Sequence, residues 1–135
     1  MNPSEDPFVG VWELDPSTLD YQFRRPGRRA LYTIEAVPGG LMFSLDGEDA
    51  DGRPMKFTYG GELDGRGQPL PDCAGVLVLT RLNERMIESV LKREGKVVDR
   101  WTRELLPDGK TMRIVQHGFA PDGGELQNRS LYRRV

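Results

Sequence analysis

Apolar and polar positions in this chain alternate in short runs cut by turn formers, and no run sustains the 3.6-residue period of an amphipathic helix. Turn signals recur about every ten residues, the spacing of consecutive hairpins in a sandwich or barrel. They are Pro38-Gly39-Gly40, the stretch from Asp46 to Gly52, Asp64-Gly65-Arg66-Gly67, Asn83-Glu84-Arg85, Glu94-Gly95, Pro107-Asp108-Gly109 and Pro121-Asp122-Gly123-Gly124. Between them, residues 8–14, 29–37, 41–46, 54–61, 76–82, 86–93, 96–106, 110–119 and 125–134 read as strands. Only residues 17–22, after Asp15-Pro16-Ser17, leave room for a turn or two of helix, with Ser17 or Asp15 as its cap. The Pro- and Gly-rich stretch 65–75 reads as the one long loop, at the mouth of a barrel.

The faces of these strands say what kind of β-structure to expect. Along 96–106 one parity carries Val97, Asp99, Trp101, Arg103 and Leu105, and the other carries Lys96, Val98, Arg100, Thr102 and Glu104. Neither face is cleanly apolar. A solid sandwich core would bury unpaired charge on either side, which is expensive, whereas a barrel enclosing water or a polar ligand group tolerates such a strand. Phe8-Val9-Gly10-Val11-Trp12 at one end and Tyr132-Arg133-Arg134-Val135 at the other pair the termini. The expected fold is therefore all-β: a single antiparallel up-and-down β-barrel of about nine to ten strands spanning residues 1–135, of a size that usually holds something.

Composition narrows the occupant more than the fold. The 135 residues suit one domain, and 16 Gly with 10 Pro supply the reversals that many short strands need. With 19 basic and 21 acidic residues the formal charge is −2, so no overall field draws in a polyanion, and neither nucleic acid nor a membrane is an expected partner. Arg24, Arg25, Arg28 and Arg29 form the one basic cluster, read as a solvated loop ahead of an anion patch. One cysteine, Cys73, and one histidine provide neither an internal disulfide nor a thiolate zinc site, so no metal and no cofactor is expected. The polar, acidic start from Met1 to Pro7 lacks the apolar core of a signal peptide, which points to a cytoplasmic location.

Gly10-x-Trp12 on the first strand, with Arg133 and Arg134 closing the last, resembles the signature of the calycin superfamily, which includes lipocalins and fatty-acid-binding proteins. In that superfamily a tryptophan at one barrel end is covered by a basic side chain of the final strand. A flat indole closes the floor, and a cation over its face contributes ~1 to 2 kcal/mol when partly desolvated. The resemblance implies an architectural role for Gly10, Trp12, Arg133 and Arg134, and it implies that the strands bearing Trp12 and Tyr132 lie side by side.

The last third is similar to the fatty-acid-binding branch. Trp101-Thr102-Arg103-Glu104-Leu105 followed by Asp108-Gly109-Lys110 matches an Arg-Glu-Leu-x-Asp-Gly-Lys hairpin with one extra residue before the turn. The resemblance implies that Arg103 points inward and helps hold a carboxylate. The branch's second anion contact is an Arg-x-Tyr on the last strand, and here the sequence has Ser130-Leu131-Tyr132, so the tyrosine matches and the arginine does not. One guanidinium with two hydroxyls is a less charged cradle than two guanidiniums. The helical lid of that branch is absent too, because residues 15–28 are few and carry Pro16, Pro26 and Gly27.

With Arg103 inward, alternation through the next hairpins puts Arg113, Val115 and His117 in the lumen beside Asn128, Ser130 and Tyr132. His117 is the sole side chain with an unperturbed pKa near neutrality. A lone strand histidine is commonly a surface or hydrogen-bonded structural residue; the alternative is a general base near Tyr132 or Arg103. Several other patterns fail on their own terms. Asp46 to Gly52 lacks the alternating oxygen ligands of a calcium loop, and Gly109-Lys110-Thr111 is preceded by Glu104 where a phosphate loop requires glycine. No Gly-x-Ser-x-Gly elbow occurs.

Three functions from different classes fit this reading. The leading one is a lidless calycin-like barrel that binds a small, largely apolar molecule with a polar or anionic group. Arg103, Tyr132 and Ser130 would take the polar end, and Trp101, Val115, Phe43 and Met42 would form the walls, joined by Arg113 and Asn128. The second is a cofactor-independent cyclase, isomerase or hydrolase with His117 as acid/base and Arg103 or Tyr132 stabilising negative charge. The third is a structural or interaction module whose barrel is filled by its own side chains.

Overall fold

The computed structural model describes residues 6–70 and 75–135; Cys73 and the first five residues lie outside the described residues. Ten strands follow one another: β1 (Gly10–Tyr21), β2 (Arg29–Val37), β3 (Gly40–Glu48), β4 (Pro54–Glu62), β5 (Asp64–Pro69), β6 (Gly75–Asn83), β7 (Met86–Arg93), β8 (Lys96–Leu105), β9 (Thr111–Phe119) and β10 (Glu125–Arg134). They form one antiparallel sheet in the order β4-β3-β2-β1-β10-β9-β8-β7-β6-β5, which rolls into an up-and-down barrel that is nearly closed. The seam falls between β4 and β5, where Gln68 Nε2 donates to the Glu62 carbonyl at 2.9 Å.

The paired termini meet as the sequence implies. Trp12 lies opposite Arg134 and Leu14 opposite Tyr132. Trp12 is fully buried, its indole N–H donates to the Phe8 carbonyl at 3.0 Å, and the Arg134 guanidinium lies 4.2 Å from the ring centroid. Gly10 explains the first half of the motif. Its φ of +144° is one that side-chain-bearing residues rarely adopt, and a Cβ there would lie 2.5 Å from Arg134 Nη1 and displace the guanidinium. The absence of that Cβ lets Arg134 reach the Val9 and Pro7 carbonyls at 2.9 and 2.8 Å. Arg133, the other basic candidate, turns to Asp15 at 3.3 Å and Thr111 Oγ1 at 3.1 Å. Ile34, Leu41, Leu79, Ile87, Leu105 and Met112 belong to the same buried apolar cluster as the indole.

Two local expectations change. Residues 17–22 are not helical: β1 runs on to Tyr21, with an irregularity in its pairing to β10 between Asp15 and Asp20. The residues read as a helix cap serve that bulge instead. Asp15 Oδ1 accepts from Ser17 N at 3.1 Å, while Thr18 Oγ1 donates to the Asp15 carbonyl at 2.6 Å and accepts from Leu131 N at 2.9 Å. The expected loop 65–75 contains strand β5, which pairs with β6 despite its glycines, again with an irregularity, between Asp64 and Gly67. The basic cluster is largely paired: Arg25 meets Asp51 at 3.1 Å, and Arg29 meets Glu48 at 3.4 Å.

Candidate functional site: the barrel lumen

Facing residues on antiparallel neighbours share a side of the sheet, so the ladders fix which residues look inward. Trp12 pairs with Tyr32, and Ile34 with Phe43, which pairs with Tyr59. On the other half, Arg103 pairs with Ile114, which pairs with Ser130; Trp101 pairs with Gln116, which pairs with Asn128. The lumen above the floor is a cavity of about 480 Å³ opening away from Trp12. Its walls are aromatic and apolar on one side (Tyr32, Tyr59, Leu77, Trp101, Ile114), and Tyr132, Ser130 and Asn128 of β10 supply polar groups.

The structure thus gathers Trp101, Ser130, Asn128 and Tyr132 at the cavity. It corrects three of the expected lumen residues together. Met112, Ile114 and Gln116 of β9 face inward, so Arg113, Val115 and His117 face out. Arg113 pairs with Glu104 at 2.9 Å on that outer surface. Met42 is corrected as well, since adjacent strand residues cannot share a face: Phe43 is buried inside, and Met42 packs outside above Gly60.

Arg103 is inward and fully buried, in register with the cavity-lining Ile114 and Ser130, but it does not itself line the cavity. Its Cζ is 4.2 Å from the Phe43 ring centroid and 4.8 Å from that of Tyr32. Nη2 donates to the Tyr59 hydroxyl, whereas Nε and Nη1 are buried without a partner, as is Ser89 Oγ on the neighbouring strand. No carboxylate of a described residue forms an ion pair with this guanidinium. Burial, first of all, pushes the Tyr32 phenol well above the ordinary range and raises Tyr132 too, so both hydroxyls stay protonated and able to donate.

Nearer the mouth, polar groups satisfy one another. The Asn128 oxygen accepts from the backbone N–H groups of Gln22 and Phe23 at 3.0 and 3.1 Å. The Asn128 amide nitrogen donates to Gln116 at 3.2 Å, and Gln116 donates to Asp99 at 3.1 Å. Arg24 closes the string on Asp99 at 3.4 Å. Asn128 and Gln116 are therefore bound to the frame. Tyr32 and Tyr59 are among the lumen residues the sequence reading missed, with Leu77, Ile114 and Gln116. For the two tyrosines the alternation of Leu41, Phe43 and Leu45 with Met42, Ser44 and Asp46 was the signal, because a ladder from so clean a strand carries its register to both neighbours.

His117 lies in an outer groove with Phe23, Val98, Arg100 and Glu125. Burial and, next, the Arg100 charge opposite it lower its pKa from the ordinary 6.5. A histidine that binds its proton less readily folded than unfolded leaves stability unaffected above about pH 6.5 and subtracts from it as pH falls below. Its NMR titration should centre below 6.5 and stay unmoved when the lumen is filled. A midpoint that shifts with lumen occupancy would return His117 to the site.

No family model and no curated protein matches the sequence. Among solved structures, the wild-type fluorescent protein UnaG superposes with a TM-score of 0.65 at 16% identity, covering 95% of this chain and 97% of that one. A single-residue variant of it gives 0.63 at 17% identity over 96% of both chains. Lobster apocrustacyanin A1 gives 0.53 at 11% identity, covering all of this chain and 64% of its own. The backbone likeness and the Trp12–Arg134 floor agree: this chain has the calycin-superfamily fold.

Proposed function

We propose that this protein binds a small, largely apolar molecule carrying an acidic or polar group inside its barrel. The observation that carries this reading is the lumen itself. A cavity of about 480 Å³ with aromatic walls is left unfilled by the described side chains, and two of its tyrosines adjoin a buried cation that has no acidic partner among the described residues. Ligand sites are typically of this size and make-up, apolar with a few polar groups that fix orientation. The filled-barrel alternative does not fit such a cavity. The acid/base alternative loses the histidine it relied on, since His117 faces out.

Fluorescence titration tests the reading with two naphthalene probes of nearly the same body, neutral N-phenyl-1-naphthylamine and its sulfonated relative 1-anilinonaphthalene-8-sulfonate. Both should bind saturably with a blue-shifted emission. Ile114→Trp, which puts a large ring on the cavity wall, should abolish both titrations while the far-UV circular dichroism stays that of a β-barrel. Binding that survives a blocked lumen, or no saturable binding at all, would end the proposal.

A further inference from the structure

The buried guanidinium does not line the cavity, yet two tyrosines reach both: Tyr32, whose ring lies 4.8 Å from it, and Tyr59, the one hydrogen-bonded to it. Tyr59 lines the lumen, and its phenol oxygen accepts from Arg103 Nη2. Its ring is fixed on three sides: stacked on Phe43 at 5.3 Å, against Phe57 at 6.1 Å, and edge-on to Trp101 at 5.9 Å. A phenol whose oxygen already accepts from a guanidinium has its own proton left to donate, and the charge behind it polarises that O–H. The amides nearer the mouth are not free for the same task, because Asn128 and Gln116 are bound to the backbone, to Asp99 and to one another.

We propose that Tyr59 is the residue that recognises the ligand, donating to an anionic oxygen, with Arg103 as the positioning residue that orients and polarises it. This rests on the lumen-binding reading and narrows it to a ligand class: apolar bodies ending in a carboxylate or sulfonate. Amines are excluded, since the Tyr59 oxygen accepts from Arg103 and that fixed cation repels a second one.

The same two probes decide it. Tyr59→Phe keeps the ring and its three contacts and removes only the hydroxyl. It should weaken the sulfonated probe about tenfold, the scale of one hydrogen bond to a charged group, and leave the neutral probe within about twofold. Arg103→Met should do the same. The double variant should be little worse than the poorer single one, because residues acting through one contact are not additive. Rescue by Arg103→Lys should be partial, since an ammonium supplies charge but no planar donor.

Two results would overturn the assignment. If Tyr59→Phe leaves the sulfonated probe unchanged while Arg103→Met weakens it, Arg103 meets the ligand directly. If Tyr59→Phe weakens both probes equally, the residue only shapes the wall. Failure of the wild-type protein to bind either probe is a different result, which removes the container reading and this one with it.

Discussion

Trp12→Ala should lower the stability of the barrel by about 3 to 5 kcal/mol, the range for emptying a large buried aromatic site. For a domain of this length that is a fall in Tm of roughly 10 to 20 °C. The size follows from what the indole does. It is wholly buried, its N–H fixes the Phe8 carbonyl, and it is the surface on which Arg134 rests. Removing it opens a void in the floor and strips the guanidinium of its ring, so the backbone contacts Arg134 makes to Pro7 and Val9 lose their anchor as well. Thermal unfolding by circular dichroism measures the effect. A melting temperature unchanged by the substitution would show that the end of the barrel is closed by something else.

That floor was readable in the sequence because it depends on residue types at fixed places near the two ends of the chain. Gly10, Trp12 and Arg134 need no register argument: the first strand must pair with the last for the barrel to close, and glycine at position 10 leaves the arginine its place. The nine strand segments were readable for a similar reason, since glycine, proline and aspartate mark the reversals between them.

Register was the harder problem, and β9 shows why. The closing contact of the β8–β9 hairpin is Leu106 N to the Thr111 carbonyl, and the four intervening residues, 107–110, make an even-numbered connection. Across such a turn, a face that holds odd positions on one strand holds even positions on the next, so Arg103 meets Ile114 rather than Arg113. Counting straight through the turn flips the strand. Burial pattern did not warn of this, because Arg113, Gln116 and His117 put polar groups on both faces of β9. On β3, Leu41, Phe43 and Leu45 alternate with Met42, Ser44 and Asp46, so only the apolar Met42 left its inward face open to misreading. The supposed helix cap at Asp15 to Thr18 is a related case. Short polar side chains that bond to nearby backbone serve a helix end or a strand bulge equally well, and the pairing of β1 with β10 decides between them.

Arg103→Met should stabilise the ligand-free protein and weaken it as a binder, two effects of opposite sign from one substitution. The guanidinium is fully buried, has one hydrogen bond, to Tyr59, and leaves Nε and Nη1 unpartnered. Contacts with the Phe43 and Tyr32 rings at 4.2 and 4.8 Å offset part of the desolvation penalty, but no acidic group among the described residues completes the pair. Replacing buried ionic groups with well-packed apolar side chains is often neutral or stabilising, by up to about 4 kcal/mol for whole pairs, and here the removed charge lacks even a counter-ion among the described residues. Methionine keeps the unbranched stem that packs on those rings. An acidic ligand, in contrast, loses the charge that draws it down the lumen, so its affinity should fall about tenfold, roughly 1.5 kcal/mol. Paired thermal melts with and without the sulfonated probe read both quantities. The variant should melt higher than the wild type alone, and the probe should raise its melting temperature much less, because ligand stabilisation scales with concentration over Kd. A variant that melts lower while keeping its affinity would make Arg103 a purely structural cation. The buried charge would then belong to the packing of Phe43 and Tyr32, and the polar end of the ligand would have to be sought at Ser130 and Tyr132.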